Sequence, residues 1–500
     1  MPSPKSSSSS KGRRVSTGCA GLDDILGGGL TRNHSYLIEG DPGTGKTTLA
    51  LQFLLAGAAA GEKGIYITLS ESPKELTEVA ESHNWSLDGI SLVEMAPHNS
   101  GSIAEDEYTV FHPSDVELGD TIKSVLDKVE ELNPTRVAFD SLSELRMLAR
   151  ESLRYRRQIL ALKRYFEDKD TTVLLLDDRT AEGNDLQLQS IAHGVIMLYG
   201  MEREFGAKRR RLEIRKLRGS KFREGFHDFT IEQGGVQVYP RLIAAEHRLS
   251  VERLPVRSGV QELDDLFSGG IDSGTSTLLM GPAGSGKSTV ALHYAYAAAL
   301  RGENAAVFTF DETLQTMFRR CETLGLNLPE QVRQGRLTIE QVDPAELSPG
   351  EFVTRVRASV TERNASVVVI DSLNGFMNAM PGEAFLILQL HEMLSFLSQQ
   401  GVATLMTMAQ HGMLGSNMNS PADVSYIADS VLLFRFYEVA GAIHKALSVV
   451  KKRSGSHESS IRELSFSSQG IKVGKPLSDF HGILTGVPTP LSKRRRTKSK

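Results

Sequence analysis

The chain has 500 residues, 40% of them hydrophobic and 24% charged, with a formal net charge of −4. That balance is ordinary for folded protein, gives no overall pull toward nucleic acid or anionic membrane, and leaves room for two to four domains. No run of about 18 apolar residues occurs, so no membrane-spanning helix is expected, and Met1 to Arg14 lacks the apolar stretch of a secretory signal. The two cysteines, Cys19 and Cys321, have no C-x-x-C or metal spacing. They read as reduced thiols, and a cytoplasmic location is expected.

The chain opens on a Ser-rich stretch, Ser6 to Ser10 unbroken. It is too poor in apolar groups to order itself, so residues 1–14 are read as a disordered end. A short apolar strand follows, Ser35 to Ile38. It leads into the loop Gly40-Asp41-Pro42-Gly43-Thr44-Gly45-Lys46-Thr47 and a helix from Thr47 to about Ala60. This is a phosphate-binding loop. Backbone N–H groups around Gly43, Thr44 and Gly45 meet phosphate, with Thr48 just beyond them. Lys46 reaches the outer phosphates, and the Thr47 hydroxyl is a ligand for Mg²⁺. ATP and Mg²⁺ are the expected cofactors.

A strand over Gly64 to Leu69 ends at Ser70-Glu71, and a carboxylate there is a candidate base for activating water. The next strand, Arg136 to Phe139, ends in Asp140, at the carboxyl end of a central strand where a carboxylate reaches Mg²⁺ or its water. A helix over Ser152 to Lys169 and a strand over Thr172 to Leu176 follow. The basic run Lys208-Arg209-Arg210-Arg211 reads as a loop before a strand that carries Lys216 and Arg218 on one face, close to Gly219.

Everything then recurs. Lys287 lies 287 − 46 = 241 positions after Lys46, and Gly18, Leu22, Asp23 and Asp24 recur as Gly259, Leu263, Asp264 and Asp265 at the same offset. The second loop is Gly281-Pro282-Ala283-Gly284-Ser285-Gly286-Lys287-Ser288, followed by Thr289. Its helix runs from Ser288 to about Leu300. Its strands are Ser276 to Met280, Ala305 to Phe310, Ser366 to Ile370 and Val402 to Met408, with a helix over Glu383 to Gln399. Asp371 matches Asp140 as a metal-side carboxylate, and Asp311-Glu312 matches Ser70-Glu71 with both acids present. Lys451 and Arg453 match the late basic pair. Two loop matches in register within a wider repeat are far more specific than one. Apolar strands alternating with helices mean a mostly parallel α/β sheet in each half, joined near Ala245 to Leu254. The domains are therefore expected at 15–246 and 247–486, with a basic disordered tail at 487–500.

These motifs together resemble the KaiC family of circadian-clock ATPases and kinases, tandem RecA-like P-loop proteins. The resemblance covers about Ser16 to Pro488. It is carried by Gly21-Leu22-Asp23, both phosphate loops, Thr68-Leu69-Ser70-Glu71, Phe310-Asp311-Glu312, Asp140-Ser141-Leu142, Asp371-Ser372-Leu373, Lys216-Leu217-Arg218-Gly219 and Lys451-Lys452-Arg453. The resemblance implies a two-tiered homo-hexamer with ATP between adjacent subunits. Glu71, Asp311 and Glu312 would then serve as bases, with Lys216, Arg218, Lys451 and Arg453 touching phosphate from the next subunit. It implies slow hydrolysis in the first tier and serine/threonine autophosphorylation in the second. The segment Asp423-Val424-Ser425-Tyr426 looks like the family's phosphorylated stretch, with Ser425 as the acceptor and a tyrosine where the clock proteins carry threonine. Small clock-like or signalling adaptors are the implied partners. Two other readings stay open: a DNA-linked RecA-like ATPase, hinted at by the basic run, and a nucleotide-switched signalling scaffold without significant kinase activity. Nucleic acid is disfavoured by the net charge and the lack of a DNA-binding module, and no membrane association is expected.

Overall fold

The structure is a computed structural model, describing residues 14–95, 113–149, 151–179, 186–203, 205–247, 252–378, 385–410, 425–485 and 489–490. The chain divides into two compact units, Met1–Arg241 and Leu242–Lys500.

Each unit is built on a nine-stranded sheet. In the first unit the strands are β1 (Ser35–Gly40), β2 (Gly64–Thr68), β3 (Ile90–Glu94), β4 (Arg136–Asp140), β5 (Thr172–Asp178), β6 (Gly194–Met201), β7 (Arg209–Leu217), β8 (Phe226–Glu232) and β9 (Gly235–Tyr239). Their order is β9-β8-β7-β6-β1-β5-β4-β2-β3. Strands β6 to β3 of that order run parallel, and β7, β8 and β9 extend the sheet antiparallel. The second unit repeats this topology with β10 (Ser276–Gly281), β11 (Asn304–Thr309), β12 (Leu337–Gln341), β13 (Ala365–Asp371), β14 (Ala403–Ala409), β15 (Ser430–Val439), β16 (Ala442–Lys452), β17 (Arg462–Ser467) and β18 (Gly470–Pro476).

The parallel strands are apolar on both faces because helices cover both, so β1, β2 and β4 are buried along their whole length. Two large hydrophobic clusters result in each unit, one on either side of the sheet, and the second unit adds a small one around Tyr437, Ala446 and Ile483. The helices Lys46–Ala59 and Lys287–Leu300 lie in this packing with alanines and leucines facing inward. Small side chains let a helix approach the sheet closely. The expected tandem RecA-like α/β fold is thus the fold observed.

Three details differ from the sequence reading. β5 continues past Leu176 to Asp178, because Asp177 and Asp178 stay in register with Glu39 and Gly40 of β1. The helix expected to begin at Glu383 is seen over Leu386–Gln399, residues 383 and 384 lying outside the described set. The basic run is not a loop: Arg209, Arg210 and Arg211 open β7. Arg209 is buried, Arg211 pairs with Asp228 at 3.0 Å, and Lys208 pairs with Glu202 at 2.8 Å. Strand alternation sends these cations to opposite faces instead of gathering them into a patch. Cys19 and Cys321 are both buried free thiols in different units. Among the described residues no helix is long and apolar enough to cross a membrane. Of the ends expected to be disordered, residues 1–13, 487–488 and 491–500 lie outside the described residues, whereas Arg14 pairs with Thr31 and Thr489–Pro490 with Phe480–His481 in two-residue strands.

Candidate functional site

Each phosphate loop bridges the carboxyl end of a central strand and a helix whose first residue is the loop lysine. The residue before that lysine, Gly45 or Gly286, caps the helix with φ of 97° and 105°. That left-handed geometry is open to glycine and costly for other residues. It turns successive N–H groups toward one point, where a phosphate is held by the helix N-terminus. Thr44 closes the first loop by donating to the Asp41 carbonyl at 2.7 Å.

Around the first loop, Lys46 Nζ donates to the carbonyls of Gly40 (2.8 Å) and Asp41 (3.1 Å) and lies 2.6 Å from Asp178 Oδ1. Thr47 Oγ1 donates to Asp140 Oδ2 at 3.5 Å, and the buried Tyr66 hydroxyl donates to the same oxygen at 2.5 Å. Burial pushes the Asp140 carboxyl upward, and the Tyr66 hydrogen bond opposes that. Glu71 sits in the turn after β2. The Thr68 hydroxyl accepts from its N–H (2.8 Å) and donates to its carbonyl (2.9 Å). The next helix, Pro73–Ser82, is started by a capping box between Ser72 and Glu75. The Glu71 carboxyl is pushed up to about 7, chiefly by burial, then by Asp140, Glu75 and Asp178, with Lys46 opposing. Its Oε2 is buried with no hydrogen-bond partner among the described residues. A carboxyl group near neutrality, with one buried oxygen left over beside a phosphate loop, suits proton abstraction from water.

The second site has different surroundings. Lys287 Nζ donates to the Pro282 carbonyl at 2.8 Å, and burial pushes its ammonium down to about 8. A desolvated cation above a ring of N–H groups fits a bound polyphosphate. Ser288 Oγ donates to Asp371 Oδ1 at 3.0 Å, and the Thr407 hydroxyl donates to that same oxygen. Asp311 accepts from Ser372 Oγ at 2.6 Å. Glu312 is held by both arms of Arg320, Nη2 to Oε2 at 2.6 Å and Nε to Oε1 at 3.1 Å, while Arg320 Nη1 donates to Thr289 Oγ1 at 2.7 Å. These groups line a cavity of about 520 Å³ that Lys445 and Phe466 close on the side of Gly286. In both units the Ser/Thr hydroxyl after the lysine and the strand-end aspartate share one hydrogen bond, as two ligands or water-holders of one Mg²⁺ would.

The late basic residues do something the sequence did not suggest. Lys216 Nζ donates to the carbonyls of Gln189 (2.6 Å), Ser190 (3.1 Å) and Ala192 (2.7 Å), and Arg218 Nη2 donates to that of Ser190 (2.8 Å). Lys451 Nζ donates to the carbonyls of Ser425 and Ala428, both at 2.7 Å, and Arg453 Nη2 to that of Tyr426 at 2.7 Å. The two patterns match, so Ser425 stands where the first unit has Gln189. Register fixes their place. Leu217 pairs with Gly194, which pairs with Tyr36 near the start of β1, and Lys452 pairs with Ser430, which pairs with Thr277 near the start of β10. The phosphate loops leave from the other end of β1 and β10. At roughly 3.3 Å per residue, Arg218, Arg453 and the Ser425 turn lie at the far end of the sheet from the loop of their own unit. Asp423 and Val424 lie outside the described residues.

Sequence reasoning passed over Asp178 and Arg320. The strand-end signal that picked out Asp140 applies equally to Asp178, once β5 is given its full length. Arg320 lies eight positions after Glu312 on the helix Leu314–Glu322, and only folding brings its guanidinium back to that carboxylate. The counterpart of Arg320 in the first unit, 241 positions earlier, is Val79.

A family model described as the ATPase KaiC matches residues 15–243 and again 256–478. The chain belongs to the KaiC family. Among curated KaiC proteins, it is 27% identical to the circadian clock oscillator protein KaiC of Thermostichus vulcanus over 99% of this chain and 96% of that protein. It is 26% identical to the KaiC of Synechococcus elongatus over 98% and 95%. The circadian clock protein KaiC3 of Synechocystis sp. is 27% identical over 95% and 94%. The duplicated family match coincides with the duplicated phosphate-loop geometry, as a tandem ATPase of the KaiC family requires.

Proposed function

We propose that this KaiC-family ATPase is a protein-serine autokinase, assembled as a homo-hexamer that holds ATP·Mg²⁺ at the seams between subunits. In this reading Thr47 and Asp140, and Ser288 and Asp371, hold the metal. Bound there, Mg²⁺ would neutralise charge on the outer phosphates. Lys46 and Lys287 bind those phosphates, and Arg218 and Arg453 complete each pocket from the neighbouring subunit. Glu71 takes a proton from water in the first site. In the second site Glu312, beside Asp311, takes the proton of Ser425 Oγ. That oxygen forms a bond to the γ-phosphorus as the bond from phosphorus to the β–γ bridging oxygen breaks, leaving ADP.

One observation carries the reading beyond the family match: Ser425 and Arg453 sit at the end of the sheet away from Lys287 of the same unit. Within one unit these groups are thus remote from a phosphate held at that loop, which supports the reading of sites shared between chains of a closed ring. The test is phosphopeptide mapping of the full chain after incubation with ATP and Mg²⁺. Label at Ser425, lost in Lys287→Ala and kept in Lys46→Ala chains that still assemble, is expected. An assembled, ATP-binding chain with no label at Ser425 refutes the kinase reading.

A second reading is a nucleotide-switched scaffold with little kinase activity, recognised by small signalling adaptors. It is favoured by the double contact of Arg320 on Glu312, which ties up the carboxylate that would act as base. Under that reading hydrolysis proceeds, Ser425 stays unlabelled, and a partner pull-down changes with nucleotide.

A further inference from the structure

The two phosphate loops differ in what meets their lysines. Asp178 is the residue in register with Gly40, where the first loop begins, and Ala409 is the residue in register with Gly281, where the second begins. The carboxylate of Asp178 is an ion-pair partner of Lys46 at 2.6 Å, and two loop carbonyls accept hydrogen bonds from that ammonium. Two of its three protons thus go to the loop, while Asp178 stands against its charge. Ser143 Oγ holds the other Asp178 oxygen at 3.4 Å, and Arg146 holds the neighbouring Asp177 at 2.6 Å, which fixes the end of β5. Glu71 and Asp140 add carboxyl groups on the same side. The second site carries methyl, thioether and amide groups at the corresponding end of its strand: Met408, Ala409 and Gln410.

The loop lysine is the group that meets the terminal phosphates. A carboxylate already on it stands where the oxygens of the terminal phosphate would stand, with the same sign of charge. We propose that Asp178 competes with the terminal phosphate of a nucleoside triphosphate for Lys46, so that the first site discriminates against ATP relative to ADP and the second site does not. This rests on the assignment of both loops as nucleotide sites. A diphosphate meets Lys46 through its β-phosphate, which the loop N–H groups also hold, and has no further phosphate to place against Asp178. A triphosphate has to draw Lys46 away and then lies against a like charge, which weakens binding in a partly desolvated site.

The experiment isolates the first site in the full chain with Lys287→Ala and titrates ADP and the non-hydrolysable analogue AMP-PNP with Mg²⁺ by calorimetry. Asp178→Ala and Asp178→Asn are each expected to tighten AMP-PNP by about tenfold or more while shifting ADP by less than about threefold. In the reciprocal chain, Lys46→Ala isolates the second site, and adding Ala409→Asp is expected to weaken AMP-PNP there by about tenfold. Thermal melting of each variant reports folding, and the reciprocal chain tests the competition even where an Asp178 variant melts early. Unchanged AMP-PNP to ADP ratios in variants that bind both nucleotides overturn the competition and leave the site assignment standing. If the Lys287→Ala chain and its Asp178 variants bind neither nucleotide, the first site is not a nucleotide site and the proposal falls with that assignment.

Discussion

Glu71 and Glu312 occupy equivalent places in the repeat, yet their surroundings give them different chemistry. Glu71 is desolvated among carboxylates with one oxygen unpartnered, and its carboxyl rises to about 7. Glu312 is gripped by Arg320. The folded value for Glu71 lies above the ordinary 4.5, so the group holds its proton through mildly acidic pH and ionises only near neutrality. A base must be ionised to work. In the Lys287→Ala chain, kcat/KM for hydrolysis is therefore expected to rise between about pH 6 and about pH 8, with the limb near 7 that belongs to the free enzyme. Glu71→Gln should remove the limb and lower the rate on the order of 10²- to 10⁴-fold. A rate profile that keeps its limb in Glu71→Gln assigns the base elsewhere. The stability sign is opposite to the activity sign. A raised folded value gives stability that is fully present below 4.5 and is lost as pH rises through about 7, so Glu71→Gln should melt higher than the parent at pH 8.

Strand, loop and helix act together as one device at the next scale up. The strand end supplies the direction, the glycine cap turns the N–H groups, and an acid-ended neighbouring strand supplies the metal-side carboxylate. Gly286 carries two constraints at once: φ of 105°, and a Cβ placed there would lie 2.3 Å from Phe466 Cζ. Gly302, after the same helix, has φ of 87° with nothing among the described residues within 4 Å of such a Cβ. Gly302→Ala should thus carry only the left-handed backbone cost of roughly 1–2 kcal/mol. Gly286→Ala should lower the melting temperature further and abolish nucleotide binding at the second site, because either the cap or Phe466 has to move. Calorimetric melting and a nucleotide titration on both variants measure this. Normal binding by Gly286→Ala would remove the cap from the phosphate site.

At the scale of the whole molecule, the proposed pockets take Lys287 from one chain and Arg453 from the next. Chains carrying Lys287→Ala and chains carrying Arg453→Ala should each lack Ser425 labelling. Mixed and reassembled, they should regain it at roughly a quarter of the seams, the random share in which both intact groups meet. Mixtures that assemble and stay unlabelled would show that the site is not shared. Much of this protein was legible in the residues alone. Phosphate loops, acid-ended strands and the 241-residue repeat are local patterns or copies of local patterns, and the chemistry of N–H groups, lysine and carboxylate needs only a short stretch of chain to be recognised. The tandem α/β fold followed from strand and helix periods for the same reason. Three things waited for the tertiary structure. The pairing of Lys46 with Asp178 depends on which strands lie side by side and how far each runs, and that of Arg320 with Glu312 on the helix Leu314–Glu322 folding back over the strand-end turn. The burial of Arg209 and the pairing of Arg211 with Asp228 depend on a strand that follows the basic run. The position of Arg453 and Ser425 at the far end of the sheet depends on the antiparallel turn-back of β16 on β15. Sequence spells out which groups are present, whereas neighbours across a sheet are set by register, which a chain read in one dimension does not contain.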